Sequence, residues 1–218
     1  MEVNFLDKDL QKTWDTLSDS WNNLRNRPYP EVKEFSGTTK KGLVVDIGCG
    51  NCRNLIPFSE NKCIGMDFSK GMIKEAKKYC EKNQIKVDFI LGEVNRLPLK
   101  NNVASTIIYT STISHLRSKE QRIESLKETK RIGKKGYKMI ISIWNRWQKR
   151  FIWKLLKNYF FGKYPNIYVN WNYHGNIHKR FYHLYTKKEL VKELNQLNLK
   201  IEKTSKDEHG GIWFWVTR

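Results

Sequence analysis

The pattern of apolar positions changes its period once along the chain. Leu6, Leu10, Trp14, Leu17 and Trp21 recur at helical spacing, and the polar run 22–30, closed by Pro28 and Pro30, breaks that pattern. Residues 1–35 therefore read as a helical lead-in. From residue 42 short apolar runs alternate with amphipathic stretches. Strands are predicted over residues 43–46, 62–67, 87–91, 105–109 and 137–144, with two more near 199–203 and 212–216. Helices are predicted from the N-cap Ser69 to about Lys82, over 119–132 with Gly133 as a C-cap, and after the N-cap Thr186 on Leu190, Val191, Leu194 and Leu197. Such alternation predicts an α/β protein with a mainly parallel sheet and helices on both faces.

At 218 residues the chain predicts one domain, 1–218, with a lead-in over 1–41 and an insertion over 145–185. No apolar run approaches the ~18 residues of a membrane span, and Met1-Glu2-Val3-Asn4 starts no secretory signal. A cytoplasmic protein without membrane attachment is expected. Four cysteines suggest no disulfide framework. Cys49-x-x-Cys52 is the only close pair and falls inside a turn, so no metal site is expected.

Charge sharpens the picture. The chain carries 41 basic against 22 acidic residues, a net +19, and no acidic residue stands between Glu128 and Glu189, where 15 Lys and Arg fall. About half of the aromatics lie there too, among them Trp144, Trp147, Phe151, Trp153, Tyr159, Trp171, Phe181, Tyr182 and Tyr185. Interleaved cations and rings suit a polyanion with unpaired bases. Many of these rings also suit a core. A run around Phe151, Ile152, Leu155, Leu156 and Tyr159 reads as a basic amphipathic helix, either a lid packed on the domain or a membrane-surface element.

The first strand runs into Asp46-Ile47-Gly48-Cys49-Gly50-Asn51, a glycine turn expected to open a helix and to let the backbone approach a ligand. It lacks the third glycine of a dinucleotide fingerprint and the Gly-Lys-Ser/Thr of a P-loop. Asp67, with Phe68 and Ser69 after it, closes the second strand where a carboxylate accepts two ribose hydroxyls. Glu93 and Val94 follow the third strand, an acceptor for an exocyclic amine beside an apolar wall. Thr110 and Ser111 follow the fourth. A ligand with ribose, adenine and an amino-acid end but no pyrophosphate fits that set: S-adenosylmethionine.

Val44 to Asn51, Gly65-Met66-Asp67-Phe68-Ser69, Gly92-Glu93-Val94 with Leu97-Pro98, and Lys134-Lys135-Gly136-Tyr137 resemble the successive motifs of class I methyltransferases. Cys52 replaces the third glycine of the first motif, Glu93 the usual Asp, and Ala104 stands where a Phe-Asp pair is common. The resemblance implies a Rossmann-like class I methyltransferase fold. That fold has a mainly parallel seven-stranded sheet, helices on both faces and here a basic, aromatic insertion after strand five.

Leu24-Arg25-Asn26-Arg27-Pro28-Tyr29-Pro30, Ile113-Ser114-His115-Leu116 with Arg122-Ile123, Arg180 to Tyr185, and Gly211-Ile212-Trp213 are similar to elements of the tRNA methyltransferases that esterify 5-carboxymethyluridine at the wobble position. Ser114 replaces the first of two histidines usual there. This resemblance implies a tRNA anticodon-loop substrate and a small zinc-ribbon activator as partner.

A carboxylate nucleophile is already ionised at neutral pH and needs positioning rather than a general base. His115, Arg25 and Arg122 are expected to position it, since Arg grips carboxylate bidentately. Arg27, Arg146, Lys149, Arg150, Arg180 and His183 are expected on tRNA, with Tyr182 and Trp213 stacking on the flipped base. Two other functions fit the same motifs: a methyltransferase for a small carboxylic acid or quinone precursor, and a non-enzymatic RNA-binding subunit.

Overall fold

The computed structural model describes residues 7–218; Leu6 and the opening Met1-Glu2-Val3-Asn4 lie outside the described residues. The lead-in is two helices, α1 (Lys8–Leu24) and α2 (Pro30–Ser36). Asp7 caps α1 by accepting from the Leu10 amide, and Pro30 starts α2 where a missing N–H costs nothing.

Next come β1 (Leu43–Ile47), β2 (Lys62–Asp67), α3 (Lys70–Lys82), β3 (Val87–Leu91), β4 (Ala104–Thr110), α4 (Lys119–Ile132) and β5 (Gly133–Ile143). The insertion contributes α5 (Ile152–Phe160) and a hairpin, β6 (Asn166–Tyr173) and β7 (Asn176–His183). The chain closes with α6 (Lys187–Gln196), β8 (Lys200–Lys206) and β9 (Ile212–Thr217).

Seven strands pair in the order β3-β2-β1-β4-β5-β9-β8, all parallel except β9, which runs antiparallel to both neighbours. This is the sheet expected. Both faces are covered. Tyr109, Leu126, Tyr185, Leu190 and Leu194 fill the side under α4 and α6, while Val32, Phe35, Leu55, Phe58 and Ala76 fill the side under α2 and α3. Capping follows the sequence signals: Ser69 caps α3, and Ser118/Gln121 and Thr186/Glu189 form capping boxes on α4 and α6.

Three points differ from expectation. The glycine turn does not open an α-helix; Arg53–Phe58 is a 3₁₀ helix containing Pro57, which has no N–H to donate. Gly133 caps α4 as expected, its amide donating to the Thr129 carbonyl, and in extended conformation it is also the first residue of β5. Its lack of a side chain makes room for Tyr137, whose ring a Cβ there would meet at 2.3 Å.

The hairpin β6–β7 was not foreseen, although His174 and Gly175 at its tip both adopt positive φ, the conformation of a two-residue turn that suits strand twist. Finally, α5 does not pack as a lid. Of its residues only Leu155 is buried, because the hairpin it rests on offers one narrow apolar strip of Ile167, Tyr182 and Leu184.

Candidate active site

The strand order turns around between β1 and β4, and a crevice opens outside the carboxyl ends of the parallel strands there. Gly48 and Gly50 after β1, Asp67 and Phe68 after β2, Glu93 and Val94 after β3, and Thr110 and Ser111 after β4 line it. Some 1110 Å³ of it, mouth included, is not filled by atoms.

The crevice has a roof. Leu10, Trp14 and Trp21 of α1 line it from the opposite side, and α1 is tied to the floor by polar contacts. Gln11 Nε2 donates to the Phe68 carbonyl at 2.6 Å. Asp15 accepts from the Ser69 hydroxyl at 2.6 Å and the Gly71 amide at 2.9 Å. The hairpin clasps α1 from outside: Trp171 Nε1 donates to Ser20 at 3.2 Å and the Tyr173 hydroxyl to Asp19 at 2.6 Å. Arg117 pairs with Asp7 and lies over the Phe181 ring.

Gly48 shows why the turn needs glycine. Its φ is +67°, and a Cβ there would sit 2.3 Å from Thr112 Oγ1. Cys52 takes up the left-handed conformation of the missing glycine, with φ +62°. A side chain on Gly65 would collide with the Cys52 and Cys49 sulfurs, so these thiols are packing groups under the turn. Burial pushes the Cys49 thiol up to about 11, which keeps it protonated and unreactive.

Each oxygen of Asp67 accepts one backbone amide, from Gly50 and from Ser69, both at 3.0 Å. The remaining lone pairs are available to a diol. Burial raises its carboxyl to about 6, against the lowering effect of those amides. Burial also raises Glu93, whose carboxyl stands at the end of β3 beside Val94. The four loop tips carry two carboxylates and no cation. Of the cations that line the crevice, Arg117 is paired with Asp7 and Arg25 belongs to the end of α1, so the tips themselves offer acceptors for a ribose and an amine and negative charge for a sulfonium. The expected S-adenosylmethionine fits this donor and acceptor set.

The sequence also placed Asp46, Cys49, Asn51 and Ser69 at the cofactor. All four are buried and none lines the crevice. Asp46 is buried with neither oxygen hydrogen-bonded, and burial lifts its carboxyl to about 8 even with Arg53 nearby. Asn51 Nδ2 donates to Asn22 and to the Arg25 carbonyl, which holds the end of α1 against the turn. Ser69 caps α3.

Arg25 and Tyr182 line the crevice; Arg150 and Arg180 do not, but they lie behind Tyr182 closely enough that, with Arg25, their charges act on the proton affinity of its hydroxyl. Arg180 is the buried member, 5% exposed. Its guanidinium lies 4.5 Å over the Trp171 ring, Nη1 donates to the Tyr182 hydroxyl at 3.1 Å, and Nε has no partner. Burial, then the charges of Arg25 and Arg150, weaken its hold on its proton, yet a guanidinium stays cationic at neutral pH. Arg150 stacks on Trp144 and Phe151, and Arg25 on Trp21. Among the described residues none of the three is in an ion pair.

His115 lines the crevice between Trp14 and Tyr182, at ring distances of 5.2 and 4.4 Å. Burial drives its pKa down to about 4, so it is neutral at pH 7. Nδ1 lies 2.8 Å from the Phe181 carbonyl. A neutral ring must donate there, which leaves the lone pair on Nε2.

Other sequence candidates lie elsewhere. Arg122 is buried between α4 and α6, over the Tyr185 ring and 3.8–3.9 Å from Glu189 and Glu193. Arg146 and His183 share Glu189 with it, at 2.9 and 2.7 Å. These carboxylates come from α6, outside the acid-free stretch, and neutralise three side chains expected on substrate. Trp213 is buried with its Nε1 donating to Asp207 at 2.9 Å, so it cannot stack on a base. Tyr182 lines the crevice, but its ring is stacked on Trp144 at 4.1 Å, which leaves its hydroxyl as the useful group. Arg27 and Lys149 are exposed and do not line the crevice.

Trp14, Trp21, Thr112, Arg117 and Trp144 line the crevice and were not among the candidates. The tryptophans of α1 carried a signal, two large rings seven residues apart on a helix that precedes the fold.

Residues 44–136 match the methyltransferase domain family. The chain is 24% identical over 200 residues to a protein of Encephalitozoon cuniculi named as a candidate methyltransferase, covering 90% of each. It is 28% identical over 136 residues to the tRNA (carboxymethyluridine(34)-5-O)-methyltransferase of Xenopus tropicalis, covering 62% of this chain but only 21% of that enzyme. The crystal structure of a SAM-dependent methyltransferase from Methanosarcina mazei superposes with a TM-score of 0.73 at 17% identity, over 88% of this chain and 98% of that one.

Proposed function

We propose that this chain, an S-adenosylmethionine-dependent methyltransferase of the class I fold, methylates tRNA, on the carboxylate of 5-carboxymethyluridine at the wobble position. The observation that carries this reading is the buried guanidinium of Arg180, with no acid beside it and bonded to the hydroxyl of Tyr182, a residue that lines the cofactor crevice. An arginine buried without an acid is unfavourable in the empty protein and becomes favourable when an anion arrives. The tRNA relative supports the substrate class, although this chain spans about a fifth of its length.

Asp67 and Glu93 would hold the ribose and adenine of S-adenosylmethionine, with Gly48, Gly50, Phe68, Val94, Thr110 and Ser111 around them. When bound, this molecule supplies a methyl group on a positively charged sulfur. The protein's own part is orientation. Arg180 Nε and the Tyr182 proton are two donors without an acceptor among the described residues, and together they fix a carboxylate. Burial pushes the Tyr182 hydroxyl up to about 12, so it remains a donor. Arg25 and Arg150 add charge at the rim and draw phosphates. Neutral His115 withdraws no electron density as a cation would. The α1 roof excludes water, which strengthens each contact.

No helix among the described residues is long and apolar enough to cross a membrane, and a tRNA substrate agrees with the cytoplasmic location expected. A zinc-ribbon activator is not part of this reading; neither the described residues nor the relatives speak for one.

The test is incubation of the protein with S-adenosylmethionine and total tRNA, followed by nucleoside mass spectrometry. Conversion of carboxymethyluridine to its methyl ester is expected, and turnover should fall steeply with salt. Absence of a methyl gain on every tRNA nucleoside, with turnover of a small acid that ignores salt, would overturn it.

A further inference from the structure

Beyond the crevice, one surface has no assigned role. Trp147, Trp153, Tyr159, Phe160 and Phe161 are 65%, 82%, 67%, 81% and 68% exposed. They lie within the seventeen positions 147–163 together with Lys149, Arg150, Lys154, Lys157 and Lys163 and no acid. Monomeric proteins rarely leave such a cluster in water without use. Its occupant is constrained by three observations.

The first is charge. Fifteen cations stand in the acid-free stretch, and among the described residues the carboxylates that pair with its side chains, Glu128 with Arg131, Glu202 with Lys138 and Glu189 with Arg146 and His183, engage none of the cations of α5 or of the turn before it. The surface is therefore complementary to a polyanion. The second is ring type. Five of the exposed groups are flat π-systems interleaved with cations, the pairing that stacks unpaired bases while neutralising the phosphates between them. The helix itself has nine residues, about 14 Å, short for an element lying in a membrane interface. The third is continuity. Arg150, one of the three guanidiniums around Tyr182, belongs to the 3₁₀ turn Lys149–Phe151 that runs straight into α5.

We infer that the exposed ring face of α5 and the turn after it bind unpaired nucleotides of an RNA loop, those flanking the one that enters the crevice. The rings stack on splayed bases and the lysines pair with the intervening phosphates. This deepens the tRNA reading and rests on it for the identity of the RNA. It assigns a recognition role to residues that do not line the crevice: an RNA is selected for a single-stranded loop at this surface as well as for the chemistry of one base.

The experiment compares the full-length protein with Trp153→Ala/Phe160→Ala, and with Trp153→Tyr/Phe160→Tyr, which keeps two rings. Binding is measured at fixed salt to an RNA hairpin with an anticodon-type loop, to a blunt duplex of the same stem, and to vesicles containing anionic lipid. S-adenosylhomocysteine binding by calorimetry reports that each variant is folded. The alanine variant, which removes two rings, should lose roughly 30-fold affinity or more for the hairpin, keep its affinity for the duplex, and be restored by the tyrosine variant. Unchanged hairpin affinity, an equal loss on hairpin and duplex, or a loss confined to vesicles each overturns the inference, the last in favour of a membrane surface. Failure of the tRNA reading looks different: the wild-type protein would transfer no methyl group to tRNA, whatever the hairpin affinities of the variants.

Discussion

Arg180 and Tyr182 stand two residues apart on β7, and the guanidinium of one donates to the hydroxyl of the other at 3.1 Å. Residues i and i+2 of a strand share a face, so the strand itself fixes this pair. The ring of Trp171 beneath the guanidinium and the missing carboxylate leave Nε unpaired.

Arg180→Met should accordingly separate stability from function. Removing a buried, unpaired cation leaves the folded state unchanged or stabilised by about 1–3 kcal/mol, seen in thermal or urea melts. Methyl transfer to tRNA should fall roughly 10- to 150-fold in kcat/KM, the loss of one charge-assisted hydrogen bond. Arg180→Lys should not restore it, because an ammonium does not reproduce the planar fork. A melting temperature that drops along with activity would make Arg180 a structural residue.

Asp67 predicts a pH dependence of cofactor binding. Its carboxyl is raised to about 6, so below that pH it is protonated and loses an acceptor. Affinity for S-adenosylhomocysteine should weaken by up to about tenfold per pH unit below 6 and stay level from 7 to 8. Asp67→Asn should bind weakly at every pH, with the acidic limb gone. Calorimetry between pH 5 and 8 measures both.

Asp46 predicts a pH dependence of stability. A carboxyl whose folded value is about 8 and whose ordinary value is 3.8 binds its proton more tightly in the folded state, so stability falls as pH rises between those values. His115, lowered from 6.5 to about 4, acts in the opposite sense but only below 6.5. Between pH 6.5 and 8 the Asp46 contribution is therefore separate from it, and about 1–2 kcal/mol of stability should be lost across that interval. The same melts on Asp46→Asn should show a flatter profile. Equal slopes for the two proteins would contradict the assignment.

The α1 roof predicts a kinetic effect. Asp15→Ala removes the acceptor for the Ser69 hydroxyl and the Gly71 amide. Bound S-adenosylhomocysteine should leave about tenfold faster or more, since hydrogen bonds to a charged group contribute about 1.5–3 kcal/mol. Tyr173→Phe, which loses an exposed bond to Asp19, should change the rate much less. Stopped-flow displacement distinguishes the two.

Much of the fold was legible because its signals are local. Ser69, Ser118 and Thr186 each cap a helix with their own side chains, and the buried strands announce themselves as apolar runs between turns. The hairpin was missed because β6 alternates exposed and half-buried positions and has little apolar content to mark it. Of the site, the four floor loops were legible, since each follows directly on a strand. The roof was not: the contacts of Gln11, Asp15, Trp171 and Tyr173 join segments more than fifty residues apart.

The order of strands and helices, the glycine turn and the carboxylates at the strand ends were settled by neighbours in the chain. Which of many arginines stays unpaired was settled only by packing. Arg122, Arg146 and Arg180 all look like candidates for the substrate in the sequence, the last two in a stretch without acids. Folding brings Glu189 and Glu193 of α6 beside the first two, and brings beside the third only rings and a hydroxyl. A charge acts over ångströms of space and not over positions in a sequence, so the choice of its partner belongs to the tertiary structure.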